Sequence, residues 1–392
     1  MKFIRLLILT AALLPSGFAV RADLASIFTN VAPATGAVPR RPSIIFIQCH
    51  GLGAGDLSCY GQTNFQTPNL DRLAAEGVRF TDYRTGAAEN FPATAALLAG
   101  KTAATAPGEP NLAQRLRQAG YRTGLIGEWS LGGQPWNQGF DEFAGFLDDG
   151  EGRNYYADYL WRFAPKSIFD ETNKTLTDFT GKEMLYPNTS GKHGRYLPDL
   201  FLDAAANFVR VNQPDQFNHF RPFFLLVNLP APRTATAGKD DFPVPTDAPF
   251  SGENWPQAAK SRAALLARLD NGVGRLLEQL NKFGLTNNVA IFFTSLAAPE
   301  KFADTNLAKF FRPDGAARVP MIVRWLSHVP AGRKNALPWT AADLAPTALE
   351  LARVNPAKDF TGISVLPALL GQPGTNTPAL PDWEPQNRAR GQ

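Results

Sequence analysis

Few side chains in this sequence are suited to polar chemistry. Its 392 residues include four histidines (His50, His193, His219 and His328) and two cysteines (Cys49 and Cys59). Two cysteines exclude a disulfide scaffold and every multi-cysteine zinc module. Of the histidines, only His50 directly follows an apolar run, SIIFIQC, and it precedes the turn Gly51-Leu52-Gly53-Ala54-Gly55. A histidine there can serve as ligand or base, although its commoner role is a hydrogen-bonded structural group. The glycines at 51, 53 and 55 do not fit the G-x-G-x-x-G spacing that cradles a pyrophosphate. No G-x-S-x-G is present, which disfavours a nucleophile elbow. Cys49 and Cys59 flank the glycine-rich turn and could pair in an oxidising compartment. The simpler reading is two separate buried thiols, because free cysteine packs as a small apolar group.

The elements that would position these residues alternate between strands and helices. SIIFIQC (43–49), PFFLLVNL (222–229) and NVAIFFTS (288–295) are continuous apolar runs, the pattern of strands buried on both faces. VRFTDYR (78–84), YRTGLIG (121–127) and VPMIVRW (319–325) read as further strands. Helices are expected at 68–77, from Pro92, at 110–119, at 201–211 and at 340–354. Over 257–283, Leu266, Leu269, Val273, Leu276 and Leu280 fall on one helical face. This alternation predicts an α/β fold, a three-layer α/β/α sandwich around a large, mainly parallel sheet. Chemistry in such sheets gathers in loops at the carboxyl ends of strands. Those loops are 49–56, 85–94, 127–133, 229–235, 295–300 and the one before Val319.

Composition narrows the setting. With 44% hydrophobic and 19% charged residues the chain is too apolar for disorder. No apolar stretch reaches the roughly 18 residues of a membrane span. Residues 1–22 carry Lys2 and Arg5 before the apolar core Leu6–Leu14, then Pro15, Gly17 and small residues up to Ala22. This is the pattern of a cleaved secretory signal peptide, so a secreted or periplasmic location is expected. Without it, 36 Lys and Arg face 35 Asp and Glu, so the formal +4 falls to +1. No Lys/Arg run remains to suggest a nucleic-acid partner. Residues 23–41 read as a linker, 42–370 as the α/β domain, 148–197 as an irregular rim insertion and 371–392 as a tail.

The segment RPSIIFIQCHGLGAGDLSCYGQTNFQTPNLDRLAAEGVRFTDYRTG (41–86) resembles the opening of the sulfatase family, in the alkaline-phosphatase-like superfamily. The resemblance continues through FPATAALLAGK (91–101), GYRTGLIGEWSLGG (120–133), RPFFLLVNLPAPRT (221–234) and the stretch 267–295 to RVPMIVRW (318–325). It implies an alkaline-phosphatase-like fold and a sulfuric ester hydrolase. The residues at the family's site positions depart from its pattern. His50 and Gly51 stand where the family has two metal-binding Asp, and Leu296 and Ala297 where it has an Asp-Asn pair. Asn90 stands at the Cys that becomes formylglycine, and Thr94 at the signature Arg. Glu128 and Ser130 replace a Lys and a His of the sulfate pocket, and Arg233 replaces a further His. Only Lys309 matches its family counterpart.

Each departure has a chemical consequence. A carboxamide at Asn90 is not a competent nucleophile. A hard divalent cation needs several oxygen ligands, which these four positions lack, so neither calcium nor magnesium is expected unless the chain is active. Glu128 would repel a sulfate ester. Thr94 and Ser130 could substitute as nucleophiles, but neither has an evident activating base. The expectation is an exported, catalytically inactive member with a binding or accessory role; the alternative is a residual hydrolase of sulfate or phosphate esters. The partner would be an anionic or sulfated saccharide, held by His50, Arg233 and Lys309, or another protein. Glu128 is expected to pair with Arg233 or Lys309. The family's small C-terminal subdomain is expected to be missing.

Overall fold

The run SIIFIQCH is buried at every position, as it must be in a strand covered on both faces, and forms β1 (Ser43–His50). The computed structural model describes residues 40–86, 90–101, 110–147, 150–164, 179–237, 239–311, 318–356 and 360–372. After β1 come α1 (Pro68–Ala75), β2 (Val78–Phe80), β3 (Tyr83–Arg84), α2 (Asn90–Ala99), α3 (Leu112–Gln118), β4 (Arg122–Glu128) and β5 (Glu142–Phe146). The middle of the chain supplies β6 (Tyr159–Ala164), β7 (Phe179–Met184), α4 (Leu197–Val211), β8 (Phe223–Pro232) and α5 (Gln257–Lys282). The remainder is β9 (Val289–Ala297), α6 (Thr305–Phe311), β10 (Met321–Arg324), β11 (Arg333–Asn335), β12 (Trp339–Thr340), α7 (Leu344–Leu351) and α8 (Leu366–Leu369).

Ten strands form one sheet in the order β11-β2-β10-β9-β1-β8-β4-β5-β6-β7. The central five, β9 to β5, run parallel, and antiparallel neighbours join at both sides. Ile45 and Ile47 of β1 point into a core shared with α1, α4 and α5. Ile44 and Phe46 point into a second core shared with α2, α3 and α7. The three-layer expectation is met, and it explains why the central strands read as unbroken apolar runs. Among the described residues no helix is long and apolar enough to cross a membrane.

Three details differ from the sequence reading, the first being that the helix expected over 340–354 shortens to α7 because Trp339 and Thr340 are drawn into β12. The stretch 78–84 is not one strand: β2 pairs with β10 and β11, whereas β3 leaves to form a two-stranded sheet with β12. The rim insertion 148–197 is less irregular than its composition implied, because β6 and β7 form an antiparallel pair that extends the sheet edge. Their described residues are half-exposed or exposed with one exception, Leu160, so no continuous apolar run announced them. The leader (1–22), the linker up to residue 39 and the tail beyond residue 372 lie outside the described residues.

Candidate functional site

The carboxyl ends of β1, β4, β8 and β9 converge, and a bulge decides what points there. Both pairings of β1 slip between Cys49 and His50, so His50 lies opposite Pro232 and Ala297. Such bulges re-aim a side chain at a strand end. Glu128 is the last residue of β4, and Arg233 immediately follows β8. His50, Glu128 and Arg233 are 3%, 3% and 1% exposed.

These three side chains form one cluster. Arg233 Nη2 lies 3.4 Å from Glu128 Oε2, and His50 Nδ1 lies 3.5 Å from the same oxygen. Arg233 Nη1 lies 3.4 Å from His50 Nε2. The partners assign the imidazole a tautomer: Nδ1–H donates to the carboxylate, and Nε2 accepts from the guanidinium. Gly152 caps the cluster, and a Cβ there would stand 2.4 Å from Arg233 Nη2 and 2.9 Å from Glu128 Oε2. Tyr155 donates its hydroxyl to the Arg233 carbonyl at 2.6 Å. The expected partner of Glu128 is therefore Arg233.

A second buried ion pair supports the first from α5. Arg262 donates from Nε and Nη2 to the two oxygens of Asp56, at 3.2 and 2.8 Å. Its Nη1 and Nη2 also reach the carbonyls of Pro232 (2.7 Å) and Gly51 (3.0 Å). Phe242, Phe302 and Phe311 surround the guanidinium. One side chain thus fixes the residues beside both His50 and Arg233. On the outer side, Arg153 bonds Glu300 at 2.6 Å and the Thr234 carbonyl at 2.8 Å, and the Thr234 hydroxyl donates to Glu300 at 2.7 Å. This bridge ties the turn carrying Gly152 to the ends of β8 and β9.

The sequence comparison did not single out Arg262, Asp56, Arg153, Glu300 or Tyr155. Arg262 had left a signal: it precedes Leu266, Leu269 and Val273 on the apolar stripe of α5, where a charge needs a partner. The bridge Arg153–Glu300 spans 147 positions and left none.

The remaining candidate residues are distributed around the cluster. Leu296 and Ala297 are buried at the end of β9, and Thr94 is buried on α2, which Asn90 opens. Ser130 is half-buried after β4. Lys309 takes no part in the cluster. It is exposed on α6, two positions from the buried Leu307 and Phe311 and so on the helix's opposite side. The pocket of His50, Arg233 and Lys309 is thus not assembled as expected. The cysteines are both free; burial pushes the Cys49 thiol far up and the Cys59 thiol to about 12.

Calcium or magnesium would need six or more oxygen ligands. At the four positions the resemblance assigns to metal, the His50 imidazole is engaged by Glu128 and Arg233, and the Gly51 carbonyl accepts from Arg262. Leu296 and Ala297 offer no side-chain ligand. This donor set does not fit either ion. Among the described residues, no group of three His, Cys, Asp or Glu could hold a metal.

A profile described as Sulfatase matches residues 42–354. N-acetylgalactosamine-6-sulfatase of Canis lupus familiaris is 29% identical over 383 residues, spanning 88% of this chain and 69% of that protein. The solved structure of Ps i-CgsB in complex with k-i-k-neocarrahexaose superposes with a TM-score of 0.64 at 26% identity, covering 85% of this chain and 77% of that one. A second solved structure, a complex with its substrate D-glucosamine-2-N,6-O-disulfate, shares the fold at 22% identity, with a TM-score of 0.62 and coverage of 88% and 82%.

Proposed function

This chain belongs to the sulfatase family, and from that premise we propose that it is an exported member that does not cleave sulfate esters and acts by binding. One observation carries the reading. Where a sulfate ester would meet cationic side chains, Arg233 and His50 already hold the carboxylate of Glu128, at 3.4 and 3.5 Å. An internal anion there opposes a second one, because the negative potential of Glu128 adds to the cost of desolvating a sulfate. Hydrolysis would further require a nucleophile with an adjacent base and a Lewis acid on the ester oxygen. The carboxamide of Asn90 cannot be the first, and the donors near His50 and Ala297 do not suit the second. The pattern of residues 1–22 supports export.

The proposed ligand is a sulfated saccharide, by analogy with neighbours solved in complex with k-i-k-neocarrahexaose and D-glucosamine-2-N,6-O-disulfate. Calorimetric titration of the purified protein with calcium and with magnesium tests the site. The expectation is no heat of a one-to-one complex with either ion. A saturable, stoichiometric calcium complex would overturn the reading. It would favour the alternative of a residual sulfate or phosphate ester hydrolase, to which the family match gives weight.

A further inference from the structure

The segment between β7 and α4 presents a run of basic side chains at the surface. Lys192, His193 and Arg195 are all exposed, within the run Gly191-Lys192-His193-Gly194-Arg195. Arginines elsewhere commonly face a carboxylate, as in Arg72–Glu76, Arg117–Asp141, Arg162–Glu183 and Arg275–Asp203. Lys192 and Arg195 form no ion pair among the described residues. Of the acids close in sequence, Glu183 is held by Arg162 and Asp199 by Arg268.

The loop is held in place rather than trailing. Buried Asn188 donates to the Arg195 carbonyl at 2.9 Å and to the Ala157 carbonyl at 2.8 Å, and accepts from the Arg195 N–H at 2.6 Å. Gly194 sits so close to Pro187 that a Cβ would lie 2.6 Å from its carbonyl oxygen. The His193 ring stacks on Tyr156, with centroids 4.2 Å apart and planes 14° apart. Tyr156 packs on Tyr196, which stacks on Tyr155, whose hydroxyl reaches the Arg233 carbonyl. The exposed Lys192, His193 and Arg195 therefore sit on a fixed loop, which this chain of rings ties to the backbone of Arg233.

We propose that Lys192, His193 and Arg195, with Tyr156, form a recognition surface for an anionic saccharide. An arginine fork and a lysine ammonium complement sulfate or carboxylate groups, and ring faces suit the apolar C–H faces of pyranose rings. Binding at this rim and cleavage at the buried cluster are separate properties: neither the presence nor the absence of turnover decides the other.

Biolayer interferometry on the full chain, with immobilised dextran sulfate, polygalacturonate and neutral dextran, tests this surface. The expected result is salt-sensitive binding to a charged polymer and none to neutral dextran. Dextran sulfate alone binding assigns a sulfated ligand, and polygalacturonate binding equally assigns any polyanionic sugar. Lys192→Ala/Arg195→Ala should weaken binding about tenfold, from two exposed charged contacts, and His193→Ala should weaken it further. Lys282→Ala/Lys334→Ala removes the same charge from exposed positions elsewhere and should bind like the unaltered chain. Failure to bind either charged polymer, full binding by Lys192→Ala/Arg195→Ala, or an equal loss in Lys282→Ala/Lys334→Ala would each overturn the proposal.

Discussion

Replacing Glu128 by Gln removes one charge from a cluster buried under Gly152 while keeping the side chain's size. At 3.4 Å from Arg233, the gross attraction between the two charges is about 5 kcal/mol for an effective dielectric near 20. Desolvation of both ions offsets much of this in the intact protein, so the pair itself adds little net stability. Removing only the anion is different, because the guanidinium stays buried and loses a carboxylate. Such one-sided losses cost ~3–5 kcal/mol, and the retained amide oxygen places Glu128→Gln near the lower end. Urea unfolding followed by tryptophan fluorescence should therefore show an unfolding free energy lowered by about 3 kcal/mol, read as a lower midpoint at unchanged slope. Glu128→Gln/Arg233→Met should recover about half of that loss, since both charges then leave together. A loss below about 0.5 kcal/mol for Glu128→Gln, or a double variant less stable than the sum of the singles, would refute the coupling inferred from the geometry.

Three further outcomes follow from the same structure. Arg262→Met should destabilise the chain by ~3–5 kcal/mol in the same assay, because it leaves Asp56 and two backbone carbonyls without their guanidinium donor; a near-neutral change would contradict the clamp. Both thiols should resist Ellman's reagent in the folded protein at pH 8 and react fully in urea, since burial lifts Cys59 to about 12 and Cys49 higher; two thiols missing in urea would reveal a disulfide instead. Burial alone would raise Glu76, but hydrogen bonds and charge from Arg72 and Arg324 outweigh it and hold Glu76 below the usual carboxylate range. A depressed folded pKa contributes stability above the unfolded value and loses it as pH falls, so Glu76→Gln should flatten the acid limb of the stability–pH curve; an unchanged acid limb would show that Glu76 makes no such contribution.

What the sequence disclosed depended on how each contact is encoded. β1, β8 and β9 were legible because burial on both faces forces an unbroken apolar run. β6 and β7 were not, since Tyr159, Trp161, Lys182 and Glu183 belong to an edge pair that is mostly half-exposed or exposed. The pairing of Glu128 with Arg233 could be expected from their positions in the resemblance, whereas Lys309 could not be placed without knowing which face of α6 is buried. The Arg262–Asp56 pair was half legible: a charge on an apolar stripe demands a partner, but nothing local names it. Arg153 and Glu300 meet only through the folded path of the chain, between positions no pattern links. His50 turned out to be a hydrogen-bonded group within an ion cluster, and its direction comes from a bulge that strand periodicity does not reveal.

On the proposed reading, the Glu128–Arg233–His50 cluster stands in place of an ester-cleaving centre. The most direct measurement is turnover of p-nitrophenyl sulfate by the purified chain, assayed with calcium or magnesium in excess and again with EDTA. The expected result is release of p-nitrophenol at the uncatalysed rate in every condition. Metal-dependent turnover that EDTA abolishes would contradict it.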